Sequence, residues 1–138
     1  MVNGIYSYEA GTPLTWDTDA IYLGGDLQYD ARNVNGRAFD TSPFVTASNQ
    51  QRSVAIRTFP SRFSSIRADA TNNLDASLLK NTHLTDRVNL QLRFEAFNSW
   101  NHVRFSAANR SPTNSSFGRI TGQDNLPRSV QLGARLVW

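Results

Sequence analysis

The sequence predicts an all-β fold, an antiparallel meander of about four strands. Two stretches, residues 87–97 and residues 128–138, alternate apolar and polar side chains with the two-residue period of a β-strand. The longest uninterrupted apolar run, residues 20–23, has four members. A membrane-spanning helix needs about 20, so any membrane role has to come from strands.

Each of the two stretches is long enough to cross a membrane as a tilted strand, which takes about 9–11 residues. In a membrane barrel the apolar side faces lipid and the polar side faces the lumen, whereas in a soluble two-layer sheet the apolar side faces a core. The periodicity alone is consistent with both a membrane barrel and a soluble two-layer sheet. For a barrel, the predicted lipid-facing residues are Val88, Leu90, Leu92, Phe94, Val130, Leu132 and Ala134, and the predicted lumen-facing residues are Asn89, Gln91, Arg93, Glu95 and Arg135.

Two further strands are predicted. Residues 2–9 mix tyrosines with β-branched residues and end at a turn over residues 10–13. Within residues 65–81, Leu74, Ala76 and Leu78 share one face, while Asp75, Ser77 and Leu79 share the other. Residues 81–86 then form a short polar connection into the strand at 87–97, which predicts a hairpin.

The lengths of the predicted loops distinguish a membrane barrel from a soluble two-layer sheet. Residues 15–64 and 98–127 are polar and predicted to be irregular, with small hairpins near Gly24-Gly25 and Asn35-Gly36. Compact soluble domains have median connections of about 4–6 residues, whereas outer-membrane barrels alternate short turns with long outer loops. We therefore expect part of a transmembrane outer-membrane β-barrel, with the turn at 81–86 periplasmic and the long loops outside.

Composition narrows the function classes. The apolar fraction of 39% is below the usual ~45–50% of globular chains, so we expect no thick two-sided core. The net charge of +3 comes from thirteen arginines and Lys80, but the arginines are spread from 32 to 135 without a basic block, which disfavours nucleic-acid binding. Arginines in a barrel lumen or beside lipopolysaccharide phosphates explain them better. The lack of cysteine excludes disulfides and thiolate metal sites.

No catalytic or cofactor-binding arrangement is present in the sequence. His83 and His102, the only histidines, do not have the spacing of metal ligands. We expect His83 to be a turn residue and His102 to be a loop residue. We expect no enzyme activity, cofactor or metal. Arg93 and Glu95 are expected to pair across strands on the polar face, with Asp75 and Lys80 on a neighbouring strand. The aromatics expected at the membrane interface are Trp100, Phe105 and Trp138.

Five short motifs occur in an order that resembles the end of large TonB-dependent receptors of the Oar-like type. They are Gly11-Thr-Pro-Leu14, Leu74-Asp-Ala-Ser-Leu-Leu-Lys80, Arg93-Phe-Glu-Ala-Phe-Asn98 with Asn101-His102, Phe117-Gly-Arg-Ile120, and Gln131-Leu-Gly-Ala-Arg-Leu-Val-Trp138. The last resembles the terminal signal read by the barrel-assembly machinery, in which Gln131, Gly133, Leu136 and Trp138 carry the pattern. Residues 15–64 lie outside the resemblance.

The resemblance implies that residues 1–138 are the C-terminal part of a receptor barrel domain, without signal peptide, plug or most strands. Its implied partners are outer-membrane lipid, the remaining strands and plug, the barrel-assembly machinery and, through the full protein, the TonB energy-coupling complex. The implied activity is substrate uptake across the outer membrane.

Two alternatives remain. One is a soluble β-sandwich that binds carbohydrate, with Trp16, Trp100 and nearby tyrosines as a stacking platform. The other is an outer-membrane porin or adhesin that does not transport.

Overall fold

The structure is a computed structural model that describes residues 1–16, 20–52 and 59–138. The elements are β1 (Val2–Glu9), β2 (Pro13–Thr15), a 3₁₀-helix (Ser48–Gln50), β3 (Arg62–Arg67), β4 (Thr71–Thr85), β5 (Val88–Phe97) and β6 (Ser129–Val137). The strands form two antiparallel sheets, one of four strands in the order β1-β4-β5-β6 and one that pairs β2 with β3. The predicted all-β antiparallel fold is confirmed.

The described chain forms two compact units, each built from separated parts of the sequence. The sheet unit comprises Met1–Glu9, Thr71–Val103 and Asn125–Trp138. The loop unit comprises Ala10–Ala70 and Arg104–Asp124. The sequence predicted no domain boundary, because the chain passes from one unit to the other near the ends of strands and not through a linker segment. None of the described helices has the length and apolar character to cross a membrane.

The register of the sheet unit aligns the apolar positions of successive strands. Leu78 of β4 lies opposite Phe94 of β5, which lies opposite Leu132 of β6. Since directly paired residues project from the same face, a one-residue slip would have mixed apolar and polar side chains. The observed register places the apolar sets of β4, β5 and β6 on a single face.

Strand β4 is longer than predicted, and this changes two assignments. It continues through Thr85, so the hairpin turn consists of Asp86 and Arg87 and not of residues 81–86. A register irregularity between His83 and Thr85 accompanies the turn. His83 pairs with Asn89 inside the strand, so its prediction as a turn residue was wrong. The polar side chains here hid the strand, since periodicity weakens where neither face is apolar.

The loop unit contains the buried core that the low apolar content did not predict. Trp16 is 2% exposed and packs edge-on to Phe39 and Phe63, with ring centroids 5.4 and 5.6 Å away. Aromatic rings bury large apolar areas per residue, so a few of them are sufficient for a core in a polar sequence. The buried cluster is Leu14, Trp16, Ala20, Ala38, Phe39, Phe44, Ile66, Ala108, Phe117 and Ile120.

The long first segment of the loop unit folds back on itself as an irregular hairpin. Isolated antiparallel bridges join Tyr22 to Phe44 and Tyr29 to Phe39. A hairpin was predicted near Asn35-Gly36, and these residues lie between the two arms that the Tyr29–Phe39 bridge joins. Gly24 and Gly25 instead form a bend within one arm, with φ of 112° and 117°.

Hydrogen bonds join the two segments of the loop unit. The Ala38 amide donates to the Gly118 carbonyl at 2.7 Å. The Asp69 carboxylate accepts both from Arg32 Nη1, at 2.8 Å, and from the Phe105 amide, at 3.0 Å. These bonds give the loop unit long-range order with little regular secondary structure.

Candidate membrane-facing surface

The main surface feature of the sheet unit is an exposed apolar face. Leu92, Leu132 and Leu136 are 44%, 80% and 52% exposed. Soluble monomers rarely leave a contiguous apolar patch of large area in water. On this face lie the residues predicted to contact lipid in β5 and β6, together with Leu74, Ala76 and Leu78 of β4 and Val2 and Tyr6 of β1. Of the predicted set, Val88 and Leu90 are half-buried and Phe94, Val130 and Ala134 are exposed.

Aromatic side chains lie near the two ends of the apolar face. Tyr6 and Trp100 have ring centroids 5.6 Å apart, and both are exposed. Trp138 follows the opposite end of β6 and is also exposed. Tyrosine and tryptophan have an apolar ring and a polar edge, which suits the boundary between hydrocarbon and water. The spacing along the strands therefore matches an apolar band with aromatic borders.

Phe105 does not belong to these borders, so that prediction was wrong. It lies in the loop unit, packs against the buried cluster and has the Arg32 guanidinium 5.2 Å from its ring centroid. A guanidinium over a ring face is an attractive cation–π contact. No pattern in the sequence marks the position after Val103 at which the chain passes from the sheet unit to the loop unit.

The opposite face of the sheet is polar and its side chains bond to one another. Arg93 Nη2 lies 2.7 Å from Glu95 Oε1 within β5, and Gln131 of β6 donates to the Glu95 carboxylate. Gln91 Nε2 donates to Asn81 Oδ1 at 3.1 Å. The prediction that Arg93 and Glu95 form ion pairs across strands was wrong, because they pair with each other along β5. Asn89, Gln91, Arg93, Glu95 and Arg135, the residues predicted to face a lumen, share this face.

Lys80 departs from the predicted arrangement. It lies opposite Leu92, on the apolar face and toward the end of β4 that leads to the turn at Asp86. The alternation puts Asp75 and Lys80 on different faces because they are five residues apart. A lysine near the end of an apolar face can extend its amine toward the aqueous boundary.

The residues of the resembled terminal signal lie along β6 and just beyond it. Leu136 and Trp138 are exposed, and Gln131 belongs to the polar face. A Cβ at Gly133 would lie 3.8 Å from Arg93 Cβ, an ordinary contact, so the space around this position accepts a larger residue. Recognition of these residues during assembly stays a prediction.

Asn98 organises the end of β5, a role that sequence reasoning missed. It is buried, with φ of 48°, and its Nδ2 donates to the carbonyls of His102 and Leu126, both at 3.1 Å. Its Oδ1 accepts from the His102 amide at 3.0 Å. Asparagine tolerates left-handed backbone better than most residues. The Asn98-Ser-Trp-Asn run was a visible turn cue.

Trp16 is not available as a sugar-stacking platform, because it is buried among phenylalanines. Trp100 is exposed, but it belongs to the other compact unit. Within the part of the chain that the structure describes, no cluster of three or more His, Asp or Glu residues is arranged to hold a metal ion.

Comparison with known proteins gives one family. The sequence pattern of a family described as an outer membrane β-barrel domain matches residues 1–131, which include the loop unit and all of the sheet unit except residues 132–138. No curated protein and no solved structure matches the chain significantly. The match and the exposed apolar face agree on outer-membrane location and on association with membrane lipid. The chain belongs to the outer membrane β-barrel domain family.

Proposed function

We propose that the chain forms part of the barrel of an Oar-like TonB-dependent receptor and takes part in uptake of a substrate across the outer membrane. The observation that carries the barrel assignment is the aligned apolar face, with Leu92, Leu132 and Leu136 exposed to the surroundings. The receptor assignment is supported by the motifs it shares with that family. The proposed partners are the plug, further strands, the barrel-assembly machinery and the TonB complex.

In two of the shared motifs, the glycine lies where a side chain would collide with neighbouring atoms. A Cβ at Gly11 would lie 1.7 Å from the Ala68 carbonyl oxygen. Gly118 has φ of 80°, and a Cβ there would lie 2.8 Å from Thr41 Cγ2. Such positions accept glycine because it has no side chain. The motifs therefore coincide with steric requirements of the loop unit, which supports a fold shared with the receptors.

Open strand edges support the need for further strands. Strands β1 and β6 each have one neighbour within the four-stranded sheet. Unpaired backbone groups are costly in hydrocarbon, and single-chain barrels of this membrane have at least eight strands. We propose that β1 and β6 pair with other strands in the membrane, which would close the barrel around the polar face.

The orientation can be tested by cysteine labelling, because the chain has no native cysteine. The change is Asn35→Cys in the loop unit or Asp86→Cys in the hairpin turn, both at exposed positions. With a membrane-impermeant maleimide applied to intact cells, we expect labelling at 35 and none at 86. Both should react after the outer membrane is permeabilised. Equal labelling in intact cells would contradict the proposed topology.

Energy-coupled uptake needs a separate experiment. Deletion of the gene that encodes the chain and deletion of the energy-coupling protein should abolish consumption of the same scarce nutrient from the medium. Deletion of the gene that encodes the chain is expected to leave the consumption of other nutrients unaffected. Unchanged nutrient consumption together with lost surface attachment would favour the adhesin instead.

A further inference from the structure

We propose that the loop unit contains a binding site for a small anionic molecule that bears a phosphate or carboxylate group, with Arg52 and Arg110 as the anchoring cations. The site is a cavity of about 580 Å³. Ligand pockets for small molecules commonly have about 300–1,000 Å³. Its described lining is Ala20, Gln51, Arg52, Ala107, Ala108, Asn109, Arg110, Ser111, Pro112 and Thr113.

The first wall of the cavity is held by backbone hydrogen bonds. The Asn109 amide donates to the Arg119 carbonyl at 2.9 Å, and the Gly118 amide donates to the Asn109 carbonyl at 2.8 Å. Asn109 Oδ1 accepts from the Ser111 amide at 2.9 Å. A wall fixed before binding loses little conformational freedom when a ligand arrives.

Arg110 extends from this wall with its guanidinium partly fixed. Its Nη1 donates to the Thr15 carbonyl at 2.6 Å, next to the buried Trp16. A guanidinium has five N–H donors, so one bond to a carbonyl leaves donors for a second partner. The Thr15 carbonyl thus positions the cation while most of its hydrogen-bonding capacity stays available for an oxyanion.

The second wall carries Arg52 and is anchored through its neighbour. Gln51 Nε2 donates to the Val45 carbonyl at 2.7 Å, and the Gln51 amide donates to the Ser48 carbonyl at 3.3 Å. The backbone that leads into Arg52 is therefore fixed, while the Arg52 side chain is exposed. The cavity therefore has one guanidinium held in place by a hydrogen bond, that of Arg110, and one exposed to solvent, that of Arg52.

The chemistry of the lining indicates the ligand class. No acidic side chain is among the described lining residues, which carry two arginines. Guanidinium forks match the geometry of phosphate and carboxylate oxygens and form charge-assisted hydrogen bonds with them. Ala20, Ala107 and Pro112 provide an apolar surface, and Ser111 and Thr113 provide hydroxyls. The lining fits an anionic molecule with an uncharged body.

The role of this site as a substrate site depends on the proposed uptake function, but binding does not. Binding is measured at equilibrium, without a membrane potential or a transport partner. A failure to bind anions would leave the receptor proposal intact, and a failure of energy-coupled uptake would leave an anion site on an outer-membrane protein.

The experiment is isothermal titration of the full chain, refolded in detergent, with citrate, glucose 6-phosphate and neutral glucose. We expect at least one anion to bind with millimolar or tighter affinity and glucose not to bind. Higher ionic strength should weaken binding, since screening reduces attraction between exposed charges. Which anion binds distinguishes a carboxylate ligand from a phosphate ligand.

Variants assign the binding to the cavity. Arg52→Gln should weaken binding about tenfold, because a charge-assisted hydrogen bond is lost at an exposed position. Arg110→Lys keeps the charge but not the fork and should also weaken binding. Arg119→Gln is the control, because it removes the same charge from an exposed side chain outside the cavity lining.

The proposal is overturned if neither anion binds at ligand concentrations up to about 10 mM. It is equally overturned if glucose binds as tightly as the anions. It is also overturned if Arg119→Gln weakens binding as much as Arg52→Gln does. Circular dichroism and thermal melting of each variant exclude misfolding as the cause of a lost signal.

Discussion

Phe94 of β5 lies directly opposite Leu132 of β6, and the two side chains are 40% and 80% exposed. Cross-strand apolar pairs usually stabilise a sheet by leaving water together. Here Phe94 and Leu132 pair but stay exposed, so together they form one continuous apolar surface that faces the surroundings. A pair of this kind is stabilising when the surrounding medium is hydrocarbon, which explains why register and exposure occur together.

A charge on the apolar face should therefore destabilise the folded protein. We expect Leu132→Arg to destabilise the complete barrel that contains the chain, folded into lipid vesicles, by about 2–4 kcal/mol, the cost of arginine near the middle of a bilayer. Urea titration of refolding measures it. Gln131→Arg on the polar face, beside Glu95, is the matched control and should cost less than about 1 kcal/mol. Equal effects would contradict a lipid-facing side.

Removal of the Asn98 side chain should loosen the end of β5. Asn98→Ala removes three hydrogen bonds, two with the His102 backbone and one to the Leu126 carbonyl, at a cost of about 1–3 kcal/mol, although Asn125 Nδ2 still donates to the His102 carbonyl. Asn98→Gly removes the same bonds but relieves the positive φ, so it should be less damaging by about 1 kcal/mol. Equilibrium unfolding in detergent compares them. A fully stable Asn98→Ala protein would refute the role.

Close backbone packing makes Gly11 sensitive to a single methyl group. Gly11→Ala would place a Cβ 1.7 Å from the Ala68 carbonyl oxygen, so the backbone has to move and the loop unit should lose several kcal/mol. Gly36→Ala is the control, since its Cβ would lie 3.4 Å from the flexible Asn33 side chain. Limited proteolysis of the loop unit should be faster for Gly11→Ala. Equal cleavage rates would show that the Gly11 contact is relieved easily.

Tyr29 should make the loop unit sensitive to alkaline pH. Burial raises the pKa of Tyr29 above its usual value of 10.0, although its hydrogen bond from the Ala108 amide opposes this shift. Because the folded pKa is the higher one, the resulting stability is fully present below about pH 10 and is lost as the pH rises through the folded pKa.

Tyr29→Phe is the comparison that isolates this group. It loses the hydrogen bond to Ala108, so it should be about 1 kcal/mol less stable at neutral pH. Above pH 10 the difference from the wild type should shrink, since phenylalanine does not ionise. Denaturant unfolding from pH 7 to pH 11 measures both effects. A constant difference across this range would exclude the titration of Tyr29.

Several parts of this arrangement were predictable from the sequence for local reasons. Strand β1 has the predicted bounds, Val2–Glu9, β5 begins one residue later than predicted, and β6 is shorter than predicted by one residue at each end. Side chains alternate across a strand because of backbone geometry, so the apolar faces could be assigned without knowledge of their partners. That Arg93 and Glu95 share the polar face could be predicted for the same reason, whereas their ion pair along β5 was not predicted.

Other features depend on contacts between distant residues. Nothing near Trp16, Phe39 or Phe117 predicted that they would share one core, because the core joins a segment between β1 and β4 to a segment between β5 and β6. Arg52 and Arg110 meet the same cavity from positions 58 residues apart in number, and neither is in a motif.

The sequence by itself determined strands β1, β5 and β6 to within one residue at each end, and the apolar side of β5 and β6, because alternation is a local property of extended backbone. Only the tertiary structure decided that the polar loop segments build a compact unit with an aromatic core and a basic cavity. The physical reason is that burial and cavity shape depend on long-range packing, to which every segment contributes and which no local pattern encodes.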